Sequence, residues 1–270
     1  MKKLRLDQFL TGNGFSSSVE KARKEIISGW VKVNGETMRD PSKKISGDEI
    51  ISIERPGGQF VSRGGDKLLH AVNEFKIDFK NLVTLDLGAS TGGFTDCMLK
   101  CGASKVYALD VGYNQLDYSL RIDPRVVVLE KTHAKNIKKE MFQDNIDFFT
   151  ADLSFISILK ILPAVYNTFK KIRGILLVKP QFEADPSQHN RGVVENPGFH
   201  KEILTSVACG ILETGFDIEG ITYSPIKGPA GNIEFLFLIN HGSLKSESRL
   251  DENLLKTKIN EVIETAHNTL

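Results

Sequence analysis

The chain has 270 residues, 40% hydrophobic and 26% charged, with 35 Lys+Arg against 34 Asp+Glu. This is ordinary globular material, neither disordered nor fibrous, with room for one large domain or for a small and a medium one. Near-neutral charge excludes bulk basicity as a sign of a nucleic-acid partner, three cysteines exclude a disulfide framework, and no apolar run approaches the roughly twenty residues of a membrane span.

The chain opens Met1-Lys2-Lys3 into polar-interrupted sequence without a signal-peptide core. No Cys/His cluster has zinc spacing, so no metal is expected, and a soluble cytoplasmic protein is. Composition shifts near residue 56: residues 1–55 carry a net charge of +3 and the remainder −2. The Pro/Gly-rich stretch 56–62 reads as an interdomain linker between domains at 1–55 and 63–270.

In the first half, Leu6, Phe9 and Leu10 share one face of a first helix ended by Gly12 and Gly14. Ser16 or Ser17 caps a second helix carrying Ala22, Ile26 and Ile27, with Lys21, Arg23 and Lys24 around it. Val31-Lys32-Val33 leads into Asn34-Gly35, a hairpin signal, and Gly47-Asp48 turns into the strand Glu49–Ile53. The pattern resembles the S4 RNA-binding domain through Arg5-Leu6-Asp7, Ala22 with Ile26, Gly29, Val31 to Gly35 and Gly47 to Ile50. It departs at Ser18-Val19, where the family usually has Ser-Arg. The resemblance implies RNA binding by Arg5, Lys21, Arg23, Lys24 and Lys32, through backbone charge and shape rather than base sequence.

The second half alternates helix and strand. A helix is expected over Gly64–Phe75, then a buried strand Leu82–Leu87, a glycine-rich turn and a helix to about Leu99. Strand Lys105–Leu109, a helix near Leu116–Leu120 and strand Val126–Leu129 follow. Next come strand Ile146–Thr150, a helix over roughly Phe155–Phe169, strand Gly174–Val178 and a helix over His200–Thr214. A closing pair, Ile218–Tyr223 and Ile233–Ile239, precedes a helical last twenty residues. Strands separated by helices imply an α/β, doubly wound parallel sheet, the final pair adding an antiparallel edge. Ligands in such sheets sit beyond the carboxyl ends of the strands, where Asp86, Asp110, Asp152 and Lys179 fall.

The turn Asp86-Leu87-Gly88-Ala89-Ser90-Thr91-Gly92-Gly93-Phe94-Thr95 has no Lys after its glycines, so it is no P-loop, and its spacing departs from G-x-G-x-x-G. Asp110, twenty-two positions after Gly88, suits a ribose-binding carboxylate in a dinucleotide or an adenosyl site. Asp86 favours a cofactor bearing a cationic group. A nicotinamide enzyme stays possible from the loop by itself.

Further motifs extend the pattern: Val61-Ser62-Arg63-Gly64-Gly65-Asp66-Lys67-Leu68, Ala108 to Gly112, Asp123 to Val126, Asp152 to Ser157, Val178 to Glu183 and Gly228 to Phe235. With the S4-like half they resemble the TlyA family of S-adenosylmethionine-dependent rRNA 2′-O-methyltransferases, sometimes called haemolysins, whose catalytic half is FtsJ-like. His133 and Lys135 stand where relatives commonly have Asn and Arg. The resemblance implies S-adenosylmethionine held at residues 86 and 88–95, Asp110, Val111, Asp152 and Leu153, with rRNA or ribosomal subunits as partner, cytidine as target and Arg63 among the RNA contacts. It also implies a Lys-Asp-Lys-Glu tetrad, on matched motifs Lys67, Asp152, Lys179 and Glu234. Burial and a neighbouring Lys67 are expected to lower the Lys179 amine pKa, leaving it to take the 2′-hydroxyl proton or steady the alkoxide.

Several residues read as incidental. His133, His189 and His200 are expected on the surface or in loops, and Cys97 with Cys101 on one inward helix face. Residues 179–197 form a long loop in which His189, Asn190 and Arg191 could meet RNA phosphates. Two other readings stand beside the enzyme: a non-catalytic RNA-binding or assembly factor, and a membrane-active haemolysin, against which the absence of a spanning segment argues.

Overall fold

The computed structural model describes residues 4–16, 18–47, 49–53, 59–242 and 250–270, and the chain divides into two compact units, Met1–Gln59 and Phe60–Leu270. The first unit runs β1 (Leu4–Arg5), α1 (Leu6–Gly12), α2 (Val19–Ile27), β2 (Val31–Val33), β3 (Glu36–Met38), β4 (Lys44–Ile45) and β5 (Ile51–Ile53). β2 lies between β3 and β5, while β1 pairs with β4. Asn34 and Gly35, at φ 52° and 85°, make the β2–β3 turn, the positive pair that a two-residue hairpin demands. Leu6, Leu10, Ala22, Ile26, Val31 and Ile45 are buried together, each larger side chain contributing about 1.5–3 kcal/mol.

The cap of α2 is Ser18, whose side chain accepts from the Lys21 amide at 3.1 Å. Ser16 is buried instead, and Ser17, like Asp48, residues 54 and 55 and residues 56–58 of the expected linker, lies outside the described residues. Phe60 is buried in the second unit, where the Val61 amide donates to Asp96 at 2.8 Å.

The second unit continues with α3 (Gly64–Phe75), β6 (Val83–Leu87), α4 (Gly93–Lys100), β7 (Lys105–Leu109), α5 (Tyr118–Arg121) and β8 (Val126–Leu129). Then come β9 (Phe148–Ala151), α6 (Leu162–Thr168), β10 (Ile172–Val178), α7 (Pro180–Glu183), α8 (Pro197–Glu213), β11 (Asp217–Tyr223), β12 (Phe235–His241) and α9 (Glu252–Thr269). The sheet order is β11-β12-β10-β9-β6-β7-β8. β10, β9, β6, β7 and β8 are parallel, whereas β12 runs antiparallel to β10 and β11. Ile175 and Leu177 of β10 face one apolar core with Leu236 and Leu238, and Leu176 and Val178 the other with Phe235 and Phe237. Burial of both faces is why these strands read as unbroken apolar runs.

Two expectations change. The helix foreseen from Phe155 is a single 3-10 turn at Ile158–Lys160 followed by α6, because Phe155 takes φ 65° and cannot start a right-handed helix. His200 is wholly buried on α8, its Nδ1 2.9 Å from Nε2 of His267 on α9, and burial holds its pKa down at about 4. His133 is exposed and its Nδ1 accepts from the Lys135 amide. Cys97 is buried and Cys101 half-buried.

Candidate active site

The strand order reverses between β6 and β9, the switch point beyond whose carboxyl ends doubly wound sheets bind ligands. Leu87 pairs with Leu109 on one side and Ala151 on the other, so the next residues, Gly88, Asp110 and Asp152, form one row beyond the sheet. The Gly88 and Ala89 amides donate to the Leu109 carbonyl at 2.9 and 3.0 Å, and the Asp152 amide to the Leu87 carbonyl at 3.0 Å. Gly88 has φ +85°, and a Cβ there would stand 2.4 Å from the Asp152 carbonyl oxygen. Only glycine lets the loop pass this close to β9.

Asp110 holds the same loop from the other side. Its carboxylate accepts the Ser90 amide at 2.8 Å and the Gly112 amide at 2.7 Å. Ser90 and Val111 are exposed and Thr91 and Leu153 half-buried, whereas Ala89, Gly92, Gly93, Phe94 and Thr95 are buried beneath. Asp86 does not open on the row. It is wholly buried, accepting from Thr95 at 2.7 Å and Thr150 at 3.0 Å, and burial pushes its pKa up to about 7 despite those bonds. It ties β6 to α4 and β9 under the loop.

The four residues of the expected tetrad come from four elements. Val178 lies opposite Phe235 in the β10–β12 pair, so Lys179, leaving one strand, and Glu234, entering the other, are neighbours. Parallel pairing of Ala151 with Leu176 brings Asp152 to the same edge. Lys179 Nζ is 2.6 Å from Asp152 Oδ1 and donates to Ser154 Oγ at 3.1 Å. From α3, the buried Lys67 donates to Oε2 of Glu234, itself buried against Gly228. Burial pulls the Lys179 pKa down, but Asp152 and Glu234 outweigh it and hold the group above the ordinary lysine value. This corrects the expected lowering: Lys67 is spent on Glu234, and two carboxylates dominate at Lys179.

Arg63 precedes α3 and donates to the Lys227 carbonyl at 2.9 Å, joining the Lys67 helix to the loop ahead of Glu234. The segment after Lys179 folds back through Asn232, whose side chain accepts from the Val194 amide and donates to the Gly192 carbonyl, both at 2.9 Å. Within it His189 Nδ1 accepts from the Gly192 amide, and Arg191 is exposed. Lys21, Arg23 and Lys24 are exposed on α2 and Lys32 half-buried on β2, while Arg5 and Arg23 both bind Asp7.

Sequence reading missed Phe155. It is 90% exposed, three residues after Asp152, with its ring 5.2 Å from that of Phe182, three residues after Lys179. An apolar side chain held in water by a left-handed backbone is a costly arrangement. The signal lies in the Asp152–Ser157 motif, where local pattern alone indicates a helix start.

A doubly wound sheet with one antiparallel strand inside it, a glycine loop at the switch point and a Lys/Asp/Lys/Glu cluster beside that loop define a Rossmann-like methyltransferase. A model of the FtsJ-like methyltransferase family matches residues 60–241 and one of the S4 domain residues 4–51. The chain belongs to the FtsJ-like methyltransferase family, with an S4 domain ahead of the catalytic unit. It is 44% identical over 236 residues to "Hemolysin A" of Brachyspira hyodysenteriae, covering 86% of this chain and 98% of that one. With the "16S/23S rRNA (cytidine-2'-O)-methyltransferase TlyA" of Mycobacterium tuberculosis it shares 39% over 237 residues, 87% of this chain and 88% of that one. The solved "Putative hemolysin from Streptococcus thermophilus" superposes with a TM-score of 0.76 at 37% identity, over 100% of this chain and 97% of that chain. Haemolysin and methyltransferase names thus attach to one architecture.

Proposed function

We propose that the protein transfers a methyl group from S-adenosylmethionine to a ribose 2′-hydroxyl, a cytidine in ribosomal RNA, in the cytoplasm. The observation that carries this reading is the meeting of Lys67, Asp152, Lys179 and Glu234 beside the Gly88 loop. S-adenosylmethionine supplies the methyl carbon on a sulfonium that leaves as a neutral thioether. The row at Gly88, Asp110 and Asp152 fits it: Asp110 has lone pairs beyond its two amide bonds that would take ribose hydroxyls, and Ser90, Val111 and Leu153, next to that row in the chain and not fully buried, would hold the adenosyl group.

The chain's own groups handle the acceptor. Lys179, kept as an ammonium, places positive charge where the 2′-oxygen turns negative, Asp152 and Ser154 fix the direction of its N–H groups, and the hydroxyl proton leaves to water as the new C–O bond forms. Glu234, beside Lys179 and paired with Lys67, fixes that edge of the site so that the ribose is held in line with the methyl carbon. Phe155, its ring face in water, stacks on the base of the target nucleotide. The S4 unit brings folded RNA to the site through phosphate contacts. No helix among the described residues is long and apolar enough to cross a bilayer.

Incubating the protein with S-adenosylmethionine and rRNA of each subunit, then mapping 2′-O-methyl marks, tests the reading; unmarked RNA with bound cofactor would leave an RNA-binding factor. Gly88→Ala is expected to lower affinity for S-adenosylmethionine by at least tenfold in calorimetry, since its Cβ meets backbone and its φ costs about 1–3 kcal/mol. Phe155→Ala is expected to cut methylation roughly 10- to 100-fold, the worth of one base stack, while leaving cofactor affinity and melting temperature unchanged.

A further inference from the structure

Asp7, in the first turn of α1, is wholly buried, and its carboxylate is the meeting point of two arginines. Arg5 binds it through two nitrogens, Nε to Oδ1 at 3.1 Å and Nη2 to Oδ2 at 2.9 Å. Arg23, sixteen residues away on α2, donates Nε to Oδ2 at 2.8 Å, and the Gln8 amide completes the set at Oδ1. The carboxylate has no exposure, yet the two arginine side chains are 39% and 51% exposed. Each guanidinium is therefore gripped on its Nε side, and the contacts among the described residues leave N–H groups on Nη1 of Arg5 and on both Nη atoms of Arg23. Lys44 stands across the β1–β4 pair from Arg5, adding a third cation. Asp7 sits beneath these cations, and the exposed Asp40 also acts on Arg5 by charge.

We propose that Asp7 is a positioning residue for RNA: it clamps Arg5 and Arg23 side by side so that their outer N–H groups present one preorganised phosphate-binding fork. The inference rests on the reading that this unit binds rRNA and says how. An arginine otherwise surrenders rotamer freedom on meeting a phosphate, and two arginines held beforehand surrender little. The clamp has a consequence opposite in sign to plain electrostatics. Deleting a negative charge near a polyanion site should tighten RNA binding; deleting this one should weaken it.

The test is a double-mutant cycle on the full chain, with labelled small- and large-subunit rRNA titrated at fixed salt. Asp7→Asn is expected to weaken binding roughly tenfold, the ordering cost of two long side chains. In the Arg5→Ala/Arg23→Ala background the same substitution is expected to leave affinity unchanged or raise it, because only the charge remains to be lost. Equal losses in both backgrounds would mean that Asp7 merely holds the unit folded, and the clamp would be overturned. Unchanged or tighter binding by Asp7→Asn alone would overturn it too. If instead Arg5→Ala/Arg23→Ala binds rRNA as the parent does, the assignment of these arginines to RNA fails first. Amide exchange across α1 and α2 in each variant separates an unfolded unit from a misdirected one.

Discussion

Replacing Lys179 by alanine is expected to lower single-turnover methylation by about 10²–10⁴-fold, the range for losing one positioned proton-transfer or oxyanion-stabilising group. Affinity for S-adenosylmethionine should stay within about twofold, because Lys179 follows β10 and makes no bond to the Gly88 loop among the described residues. The pH profile distinguishes its two chemical roles. The Lys179 pKa is raised, so at neutral pH the group is an ammonium and its stabilising charge is fully present. That contribution is lost only as pH rises through a value above the ordinary lysine range. The parent enzyme should therefore show no Lys179-dependent inflection near neutrality. An inflection between pH 6 and 8 that vanishes in Lys179→Ala would instead assign Lys179 a neutral, base-like form and refute the ammonium role. Unchanged methylation by Lys179→Ala would remove it from the chemistry.

The second large effect belongs to Lys67 and Glu234. Both are buried, and each is the other's ion-pair partner, so Glu234→Met strands an ammonium in the core and Lys67→Met a carboxylate. Each single change is expected to cost about 3–5 kcal/mol, or roughly 10 °C of melting temperature in a unit this size. The double change K67M/E234M should recover most of that stability, since apolar side chains of similar volume commonly replace a buried ion pair without loss. Methylation should not recover. A double variant that melts like the parent but transfers no methyl group would show that the pair is retained for the reaction. Restored activity in it would reduce Lys67 and Glu234 to packing.

The predictions separate because the site is assembled from parts with different duties. Gly88, Asp110 and the buried Asp86 shape the loop, while Lys179 pairs with Asp152 and Lys67 with Glu234; on the proposed reading the first pair addresses the reacting oxygen and the second supports it. A single lesion should therefore move one observable and spare the others.

Much of this was legible from local pattern. Helix Gly64–Phe75 and strands Lys105–Leu109 and Val126–Leu129 occupy the residues that their periodicity indicates, since spacing of apolar side chains is set by the repeat of the element itself. The alternation of those elements was enough for a doubly wound sheet, and the motifs named the residues to examine. What local pattern does not carry is environment. Lys67 and Glu234 are 167 residues apart in sequence, His200 and His267 67, and Asp86 and Thr150 64. The charge state of Lys179 is a balance of burial against two carboxylates, with Lys67 engaged by Glu234. Local pattern places Phe155 at a helix start, which its left-handed backbone rules out, and it does not show that Arg23, sixteen residues on, joins Arg5 at Asp7. Sequence determines which residues can alternate, turn and pair locally; protonation, orientation and burial are sums over neighbours that only the folded chain brings within a few ångströms.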